Sequence, residues 1–372
     1  MEKAFKYRIY PNKEQEVLIQ KTFGCVRFVY NYYLDKRIKA YKENKTSLNY
    51  YDCCKDLTNL KKEFEWLREP DNHSLQKSLK NLDNAYQKFY KEHTNFPKFK
   101  SKKTHKRSYT TSNFLANKKD YTIQFQNNHI KLPKLGWIKT RDKQIPQGHI
   151  LNATISQDSS GKYYCSLCCT DVVINPLPKT NNQVGIDLGI KDFAITSDGV
   201  KYNNPKYLQQ SLNKLKKLQR ALSRKSRGSS NWNKTRIKVA RMYEKITNQR
   251  QDFLQKLSTE LIGENDVICI EDLSVSEMIQ DNKKDMRRNI ADVSWSEFTR
   301  QLQYKSDWYG RKLIKVDRYF ASSQTCSCCG EKFPITKDLS VRKWICPNCK
   351  SVLDRDINAA TNILNEGIKQ IA

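Results

Sequence analysis

The sequence VGIDLGIKDFAITSDG, residues 184–199, decides the fold class. Apolar residues at alternate positions of 184–190 are separated by two glycines and by Asp187. A strand with this pattern places its apolar side chains on one face and the lone carboxylate on the other. Residues 193–196 form a second apolar run after a short break. We therefore expect a β-hairpin whose carboxylate, flanked by glycines, is open to a metal ion and a phosphate.

Two large classes of sheet open with such a hairpin: the RNase H-like fold of nucleases and the actin/hexokinase-like fold of kinases. The structural alternative is a buried strand whose aspartate caps a turn. The chain has 68 lysine and arginine residues against 39 acidic residues, a formal charge of +29, and it contains 14 Phe, 6 Trp and 20 Tyr residues. This excess of positive charge with many aromatic rings indicates a polyanionic partner, most commonly nucleic acid.

The length and hydropathy of the chain set further limits. With 372 residues the chain is longer than one hydrophobic core normally supports, so we expect two or three structural units. No apolar run approaches the roughly 18 residues of a transmembrane helix, and the opening MEKAFKYRIY lacks the apolar core of a signal peptide. These features predict a soluble, intracellular protein with no membrane partner.

The cysteine spacing near the C-terminus is the strongest chemical signal. Two C-x-x-C pairs are separated by a segment long enough for a β-hairpin, which is typical of a structural zinc ribbon with four thiolate ligands. We expect one Zn²⁺ on these pairs, with Cys328 as the spare cysteine. The four predicted ligands are Cys326, Cys329, Cys346 and Cys349.

Further carboxylates follow apolar segments in the second half. The run VICIEDLSV, residues 267–275, predicts a strand buried on both faces that ends at Glu271. Ligands gather at such strand ends. The segment LDRDINAATNIL, residues 353–364, predicts a helix with Asp354 and Asp356 at its N-terminus, one of which caps the helix. The spacing alone does not choose between them.

The first half combines strands, helices and basic segments. Residues 3–10 alternate as a strand, three helical patterns follow at 14–39, 48–64 and 74–93, and β-patterns fill 121–171. We expect these strands to form a small barrel with the helices inserted. The basic, aromatic run at 95–114 predicts a nucleic-acid contact rather than a core element. A helical hairpin after residue 199 carries a second basic cluster near its turn.

Taken together, these blocks resemble one family. GIDLGIKDFA, LQRALSRKSRGSSNWNK, YEKITNQRQDFLQKLS, IEDL, SSQTCSCCG, WICPNC and DRDINAATNIL are similar to the TnpB family of transposon-encoded RNA-guided nucleases, relatives of the type V CRISPR effectors. KAFKYRIYPNKEQE, NHSLQKSLKNLDNAYQKFY and NFPKFKSKK extend the resemblance over nearly the whole chain. The chain departs from the family at Tyr243, Gln255, Lys350 and Leu353, none of which is catalytic.

The resemblance implies a fold class of mixed α/β and α+β domains. It comprises an RNase H-like (RuvC) nuclease domain with an inserted helical hairpin and zinc ribbon, preceded by a β-barrel wedge domain with an inserted helical recognition lobe. The expected segments are the first barrel strand (1–10), the helical lobe (11–115), the barrel (116–180), the nuclease domain with its hairpin (181–320), the zinc ribbon (321–352) and the last nuclease segment (353–372).

The resemblance also implies the catalytic residues. Asp187, Glu271 and Asp356 match the family's three acids, and Asp356 is chosen over Asp354 on this ground. Three carboxylates can hold two Mg²⁺ ions that activate water and stabilise the leaving oxygen of a phosphodiester. This mechanism needs no histidine base, and all five histidines precede residue 187.

The implied partners are a guide RNA from the transposon end and a double-stranded DNA target beside a short flanking motif. We expect a monomeric protein within a ribonucleoprotein, in the bacterial cytoplasm and associated with the nucleoid. Candidates for reading the flanking motif are Gln76, Lys77, Lys80 and Thr110. The further candidate nucleic-acid contacts are Lys98, Lys100, Lys102, Lys103, Arg220, Arg224, Lys225 and Arg227.

Other functions remain open from the sequence. A catalytically silent, guide-directed repressor would share the fold but would normally have lost an acid, and a DDE-type transposase would share the three acids but not account for the zinc ribbon. A kinase of the actin/hexokinase class would need a second glycine-rich phosphate loop, which IEDLSVSEM does not supply.

Overall fold

The computed structural model describes residues 1–103, 107–116, 120–333 and 340–371. The chain divides into two compact units, Met1–Val173 and Ile174–Ala372. The division falls just before the proline-containing segment 175–182, which the sequence predicts as a linker. The finer division into six segments stays a prediction.

The first unit begins with a strand and three long helices. Helix α1 starts with a capping box, in which the Asn12 side chain accepts a hydrogen bond from the Gln15 backbone N–H and the Gln15 side chain accepts one from that of Asn12. Such a box satisfies two N–H groups that the helix itself leaves unpaired. These elements are β1 (Lys3–Tyr10), α1 (Lys13–Asn44), α2 (Tyr50–Glu63), a 3₁₀ turn (Glu65–Arg68) and α3 (Asn72–Glu92).

Eight further strands lie among the described residues of this unit. They are β2 (Arg107–Ser112), β3 (Leu115–Ala116), β4 (Asp120–Tyr121), β5 (Gln124–Gln126), β6 (His129–Leu132), β7 (Gly136–Thr140), β8 (His149–Gln157) and β9 (Tyr163–Thr170). An antiparallel seven-stranded sheet has the order β2-β8-β9-β1-β7-β6-β5, so the N-terminal strand lies inside it, between β9 and β7. The expectation that the first strand joins the later ones is confirmed.

Strand β2 corrects one expectation. Within the basic run at 95–114, Arg107–Ser112 forms an edge strand whose Tyr109 and Thr111 side chains are buried. The Thr111 hydroxyl donates to Asp71, 2.5 Å away, and the same carboxylate caps α3 by accepting from the Ser74 N–H. This part of the run therefore packs in the core, because its alternating Tyr and Thr residues fit a half-buried strand.

The second unit contains a five-stranded sheet and six helices among its described residues. In chain order these elements are β10 (Gln183–Leu188), β11 (Asp192–Thr196), β12 (Lys201–Asn203), α4 (Tyr207–Ser223), α5 (Ser230–Glu264), β13 (Val267–Glu271), α6 (Val275–Asp281), α7 (Lys284–Val293), α8 (Trp295–Tyr309), β14 (Lys312–Val316), a 3₁₀ turn (Ser322–Gln324), β15 (Lys343–Ile345), β16 (Val352–Asp354) and α9 (Arg355–Lys369).

The order of this sheet is β12-β11-β10-β13-β14, in which β10, β13 and β14 pair in parallel and β11 pairs antiparallel with both β10 and β12. Its core packs β10, β11 and β13 against the C-terminal half of α5 and against α8, with Phe193 at ring distances of 5.0 Å from both Phe253 and Phe298. The predicted mixed α/β fold class is confirmed.

Helix α9 packs on the other side of this sheet through two glycines. A Cβ atom at Gly185 would lie 2.0 Å from the carbonyl oxygen of Ala360, and one at Gly367 would lie 2.4 Å from the sulfur of Cys269. Both positions therefore require glycine for the helix to approach β10 and β13. Gly185 serves this close packing, which brings the start of α9 to the end of β10. Within the described part of the chain, no helix is long and apolar enough to cross a membrane.

Candidate active site

Asp187, Glu271 and Asp356 come from three elements that meet at one edge of the sheet. Asp187 follows Ile186 of β10 and Glu271 follows Ile270 of β13, and these two isoleucines are paired in the parallel ladder. Asp356 lies in the first turn of α9. The carboxyl ends of parallel strands are where α/β proteins place their ligands, so the sheet register explains the juxtaposition of residues 84 positions apart in the sequence.

The carboxylates at this edge of the sheet influence one another electrostatically. Burial, followed by the charges of Glu271 and Asp356, raises the pKa of Asp187 to about 7, while the cations of Arg355 and Arg342 oppose this rise. Burial also raises the pKa of Glu271, although its hydrogen bond from the Ser322 hydroxyl opposes the rise. Like charges held together in a partly desolvated site favour protonation unless a cation is bound.

Asp354 and Asp356 have different surroundings. Asp354 is the N-cap of α9 and accepts hydrogen bonds from the backbone N–H groups of Asp356 and Ile357 at 3.0 and 3.3 Å. Its other oxygen is 2.9 Å from the amine of Lys201. Both oxygens of Asp354 are therefore occupied by structural partners, whereas Asp356 lines the same cavity as Asp187.

That cavity, which we call the acid cavity, has a volume of about 690 Å³. Its wall combines acidic, basic and amide side chains, among them Asp187, Asp356, Lys191, Asn289 and Arg355. Glu271 is not part of the wall; its Oε1 accepts from the Ser322 hydroxyl at 2.5 Å. Asp356 is also engaged, because the Nη1 of Arg342 lies 3.1 Å from its Oδ2.

Sequence reasoning missed Arg342, Arg355 and Ser322. Arg342 and Ser322 lie outside the segments that carry the acids, in or beside the predicted zinc ribbon, and no spacing signal ties them to Asp356 or Glu271. Arg355 stands between the two candidate aspartates, where a basic residue at the start of a helix carries no motif of its own. Only the tertiary contacts identify them.

The four predicted cysteines form a compact cluster. All four sulfur atoms lie within 4.8 Å of one another, and the closest cross-pairs, Cys326 with Cys349 and Cys329 with Cys346, are 3.6 Å apart. Four thiolates at a Zn–S distance of about 2.3 Å in a tetrahedron would be about 3.8 Å apart. The donor set and the spacing therefore fit a structural zinc ion. Cys328 is exposed and lies outside the set.

Among the described residues, these thiols are the one set of three or more possible metal ligands with such tight spacing. The three acids are not gathered to that extent, since Glu271 and Asp356 accept bonds from Ser322 and Arg342. Their oxygen donors are nevertheless of the type that Mg²⁺ prefers, and a bound cation would relieve the repulsion by which Glu271 and Asp356 add to the effect of burial on the pKa of Asp187.

Helix α9 connects the cysteine module to the acids. Asn358 accepts from the Ser327 N–H at 2.8 Å and donates to the Thr325 carbonyl at 2.7 Å. Asn362 donates to the carbonyls of Ser322 and Thr325 at 2.8 and 2.6 Å. Two buried asparagines one helical turn apart thus fix the first C-x-x-C loop to the helix that carries Asp356.

The structure separates the candidate nucleic-acid contacts into free and engaged side chains. Lys100 is partly buried: its amine lies 3.8 Å from the Tyr30 ring centroid, and burial lowers its pKa. The hydroxyl of Thr110 bonds with that of Thr154, and Lys80 pairs with Asp83. Gln76 and Lys77 are half-buried on α3. The exposed candidates are Lys98, Lys102, Lys103, Arg220, Arg224, Lys225 and Arg227.

Comparison with known proteins agrees with this architecture. Residues 166–282 match the OrfB_IS605 family, described as "Probable transposase", residues 295–363 match the Cas12f1-like TNB domain, and residues 1–46 match a helix-turn-helix domain of the OrfB_IS605 type. The chain also resembles the solved structure of a Cas12f1–sgRNA–target DNA complex at a TM-score of 0.63 and 14% identity, over 98% of this chain and 99% of that one.

Two relatives match over almost the full length. A Streptomyces pristinaespiralis protein named "Putative RNA-guided DNA endonuclease" is 39% identical, over 99% of this chain and 90% of its own. The Escherichia coli K12 protein named "Putative RNA-guided DNA endonuclease InsQ" is 32% identical, over 98% of this chain and 92% of its own. The resemblance seen in the sequence is thereby confirmed, and the chain belongs to the TnpB family, also called the OrfB family of IS605-type elements.

Proposed function

We propose that this protein is an RNA-guided endonuclease of a bacterial transposable element that cuts double-stranded DNA beside a short flanking motif. The observation that carries the proposal is the convergence of Asp187, Glu271 and Asp356, whose mutual repulsion contributes to the raised pKa of Asp187. The full-length relatives named as RNA-guided DNA endonucleases support the guide and the substrate.

In the proposed reaction these three side chains would hold Mg²⁺, which would supply an activated water and charge stabilisation for phosphodiester hydrolysis. Glu271 must exchange its hydrogen bond from Ser322 for the cation, and Asp356 must exchange its contact with Arg342. Asp187 must be ionised. Its raised pKa of about 7 favours the protonated acid in the metal-free site, so cation binding and proton loss are linked.

The rest of the chain binds and positions nucleic acid in this account. Pairing with the guide RNA supplies sequence specificity, while the protein holds backbone phosphates through exposed basic side chains. The best placed are Arg220, Arg224, Lys225 and Arg227 around the α4–α5 turn and Lys98, Lys102 and Lys103 after α3. Of the candidates for the flanking motif, Gln76 and Lys77 have no competing side-chain partner among the described residues, whereas Lys80 pairs with Asp83 and Thr110 bonds with Thr154. The working particle is one protein chain with its guide, acting at the nucleoid.

Substitution of the acids tests the proposal. Asp187→Ala, Glu271→Ala and Asp356→Ala should each abolish cleavage and leave guided DNA binding within a few-fold of wild type, because binding uses other residues. Asp354→Ala is the matched control, since it removes a cap and should retain cleavage. If Asp354→Ala abolishes cleavage and Asp356→Ala does not, the third acid is misassigned.

A further inference from the structure

Arg355, the first residue of α9, is a buried cation with unmet hydrogen-bonding capacity. It is 8% exposed, and its Nε–H has no acceptor among the described residues. Its guanidinium forms no ion pair there either, although its charge lowers the pKa of nearby Asp187. Burying an arginine without hydrogen-bonded counterions normally costs several kcal/mol. The nearby acids supply charge compensation for Arg355, but no described residue accepts a hydrogen bond from its Nε–H.

Arg311 shows how this protein treats a buried arginine with a structural role. It is 7% exposed, and it donates to the carbonyls of Ile262 and Pro178 at 3.1 and 2.8 Å and pairs with Asp266. Three acceptors satisfy its planar fork, as expected for a residue that stabilises the fold. The contrast indicates that the described residues do not supply the partner of Arg355.

The location of Arg355 identifies that partner. Its side chain lines the acid cavity together with Asp187 and Asp356. Trp295 lines the same cavity, is 2% exposed, and has an indole N–H that likewise lacks an acceptor among the described residues. Two buried donors without acceptors on one cavity wall fit a ligand rich in acceptor oxygens.

We propose that Arg355 binds a phosphate group of the DNA strand that enters the acid cavity. The inference rests on the proposed nuclease function and adds a positively charged phosphate subsite to it. When cations neutralise the three acids, Arg355 loses their compensating charge. A phosphate then supplies both a counter-charge and acceptors in the geometry that a guanidinium matches best.

Arg355→Gln tests this subsite, with Arg311→Gln as the matched buried-arginine control. In the full ribonucleoprotein, Arg355→Gln should slow single-turnover cleavage about 100-fold or more, the usual loss for a donor aimed at a reacting phosphate or oxyanion. Guided DNA binding should stay within a few-fold. In metal-free protein, Arg355→Gln should lower the melting temperature much less than Arg311→Gln, which strands Asp266 and two carbonyls.

A neutral-linkage scan identifies the contacted phosphate. Single methylphosphonates are placed at successive positions around the cut in the target duplex. At one position the methylphosphonate should slow wild-type cleavage as much as Arg355→Gln slows cleavage of the unmodified duplex. The same methylphosphonate should not slow the Arg355→Gln variant any further. Arg355→Lys should recover only part of the rate, because an ammonium keeps the charge but not the planar fork.

Two results would overturn the subsite. In the first, the rate loss from the methylphosphonate and the rate loss from Arg355→Gln multiply at every scanned position. In the second, Arg355→Gln lowers the melting temperature as much as Arg311→Gln does. Failure of the proposed function itself would look different, because wild-type ribonucleoprotein would then not cut the unmodified duplex.

Discussion

Arg342 lies 3.1 Å from Asp356, so an arginine beside strand β15 of the cysteine module already contacts one of the three proposed catalytic acids. The contact is half-exposed on the arginine side, with 50% of that side chain accessible to solvent. An exposed pair of this kind is weak and can exchange. Its main consequence is competition, because a metal cation that binds Asp356 must either displace Arg342 or share the carboxylate with it.

Removal of this competing charge should tighten metal binding. Arg342→Gln should lower the dissociation constant of Mn²⁺ from DNA-free protein by about 3- to 10-fold, as expected when a nearby like charge is removed from a partly screened site. Electron paramagnetic resonance of free Mn²⁺ measures the effect. Lys369→Gln, at the far end of α9, is the control and should leave the constant unchanged. Weaker binding by Arg342→Gln would show that Arg342 supports the metal site.

The raised pKa of Asp187 predicts a pH-dependent stability difference. Its folded-state pKa of about 7 lies above the ordinary carboxyl value, so metal-free protein loses stability as pH rises from about 4 to 7. Asp187→Asn removes that loss. The variant should therefore be more stable than wild type by on the order of 4 kcal/mol at pH 8 and about equal to it at pH 4.

Thermal unfolding in chelator at the two pH values measures this difference. Asp354→Asn supplies a control of opposite sign, because the Lys201 amine and the α9 N–H groups lower the pKa of Asp354 and its ionised form stabilises the fold. That variant should melt below wild type at pH 8. Equal melting temperatures of Asp187→Asn and wild type at pH 8 would mean that burial and the neighbouring acids do not destabilise the ionised form of Asp187.

The cysteine cluster should hold one zinc ion per chain. Cys346→Ser should release it, whereas Cys328→Ser should not, because Cys328 lies outside the four-sulfur set. Elemental analysis of each purified variant checks this prediction. A zinc-free preparation with full cleavage activity would contradict a structural zinc site.

Loss of the zinc should also loosen the helix that carries Asp356. Asn358 and Asn362 bind the loop that carries the first C-x-x-C pair, so unfolding of that loop leaves two buried asparagines unpaired. Hydrogen exchange should therefore increase both in the cysteine module and in the first turns of α9 after chelation. Exchange confined to the cysteine module would show that the two parts are uncoupled.

The sequence predicted those features that depend on local pattern. Alternation at 184–190 and the apolar run at 267–271 identified the strand that carries Asp187 and the strand that ends at Glu271. The repeated C-x-x-C spacing identified the thiol cluster. These signals work because strand period and ligand spacing are written within a few neighbouring residues.

Contacts between distant segments could not be predicted in this way. Ser322 and Arg342 are polar residues without a motif, and their proximity to Glu271 and Asp356 depends on how α9 and the cysteine module pack. The basic run was misjudged at Arg107–Ser112, because its charge concealed an alternating strand. The role of Gly185 in admitting α9 likewise required the position of Ala360.

The +29 charge predicts a second, independent property. Protein purified at low salt should carry a co-purifying transcript, since so large an excess of positive charge favours a polyanion before DNA arrives. The ratio of absorbance at 260 nm to that at 280 nm should fall after a high-salt wash, and the stripped protein should be less soluble. Sequencing of the released RNA should return the transposon end. Random cellular RNA in its place would argue against a dedicated guide.

The central claim is that the guide RNA directs cleavage by the three acids, and a guide exchange tests it most directly. Ribonucleoproteins are assembled with two guides that differ only in their pairing segment, and each is given both matching duplexes with the same flanking motif. The account predicts that each complex cuts only its own target, and that Asp187→Ala cuts neither while still binding its own. Equal cutting of either duplex by protein freed of RNA would contradict RNA guidance and favour a DNA-only transposase.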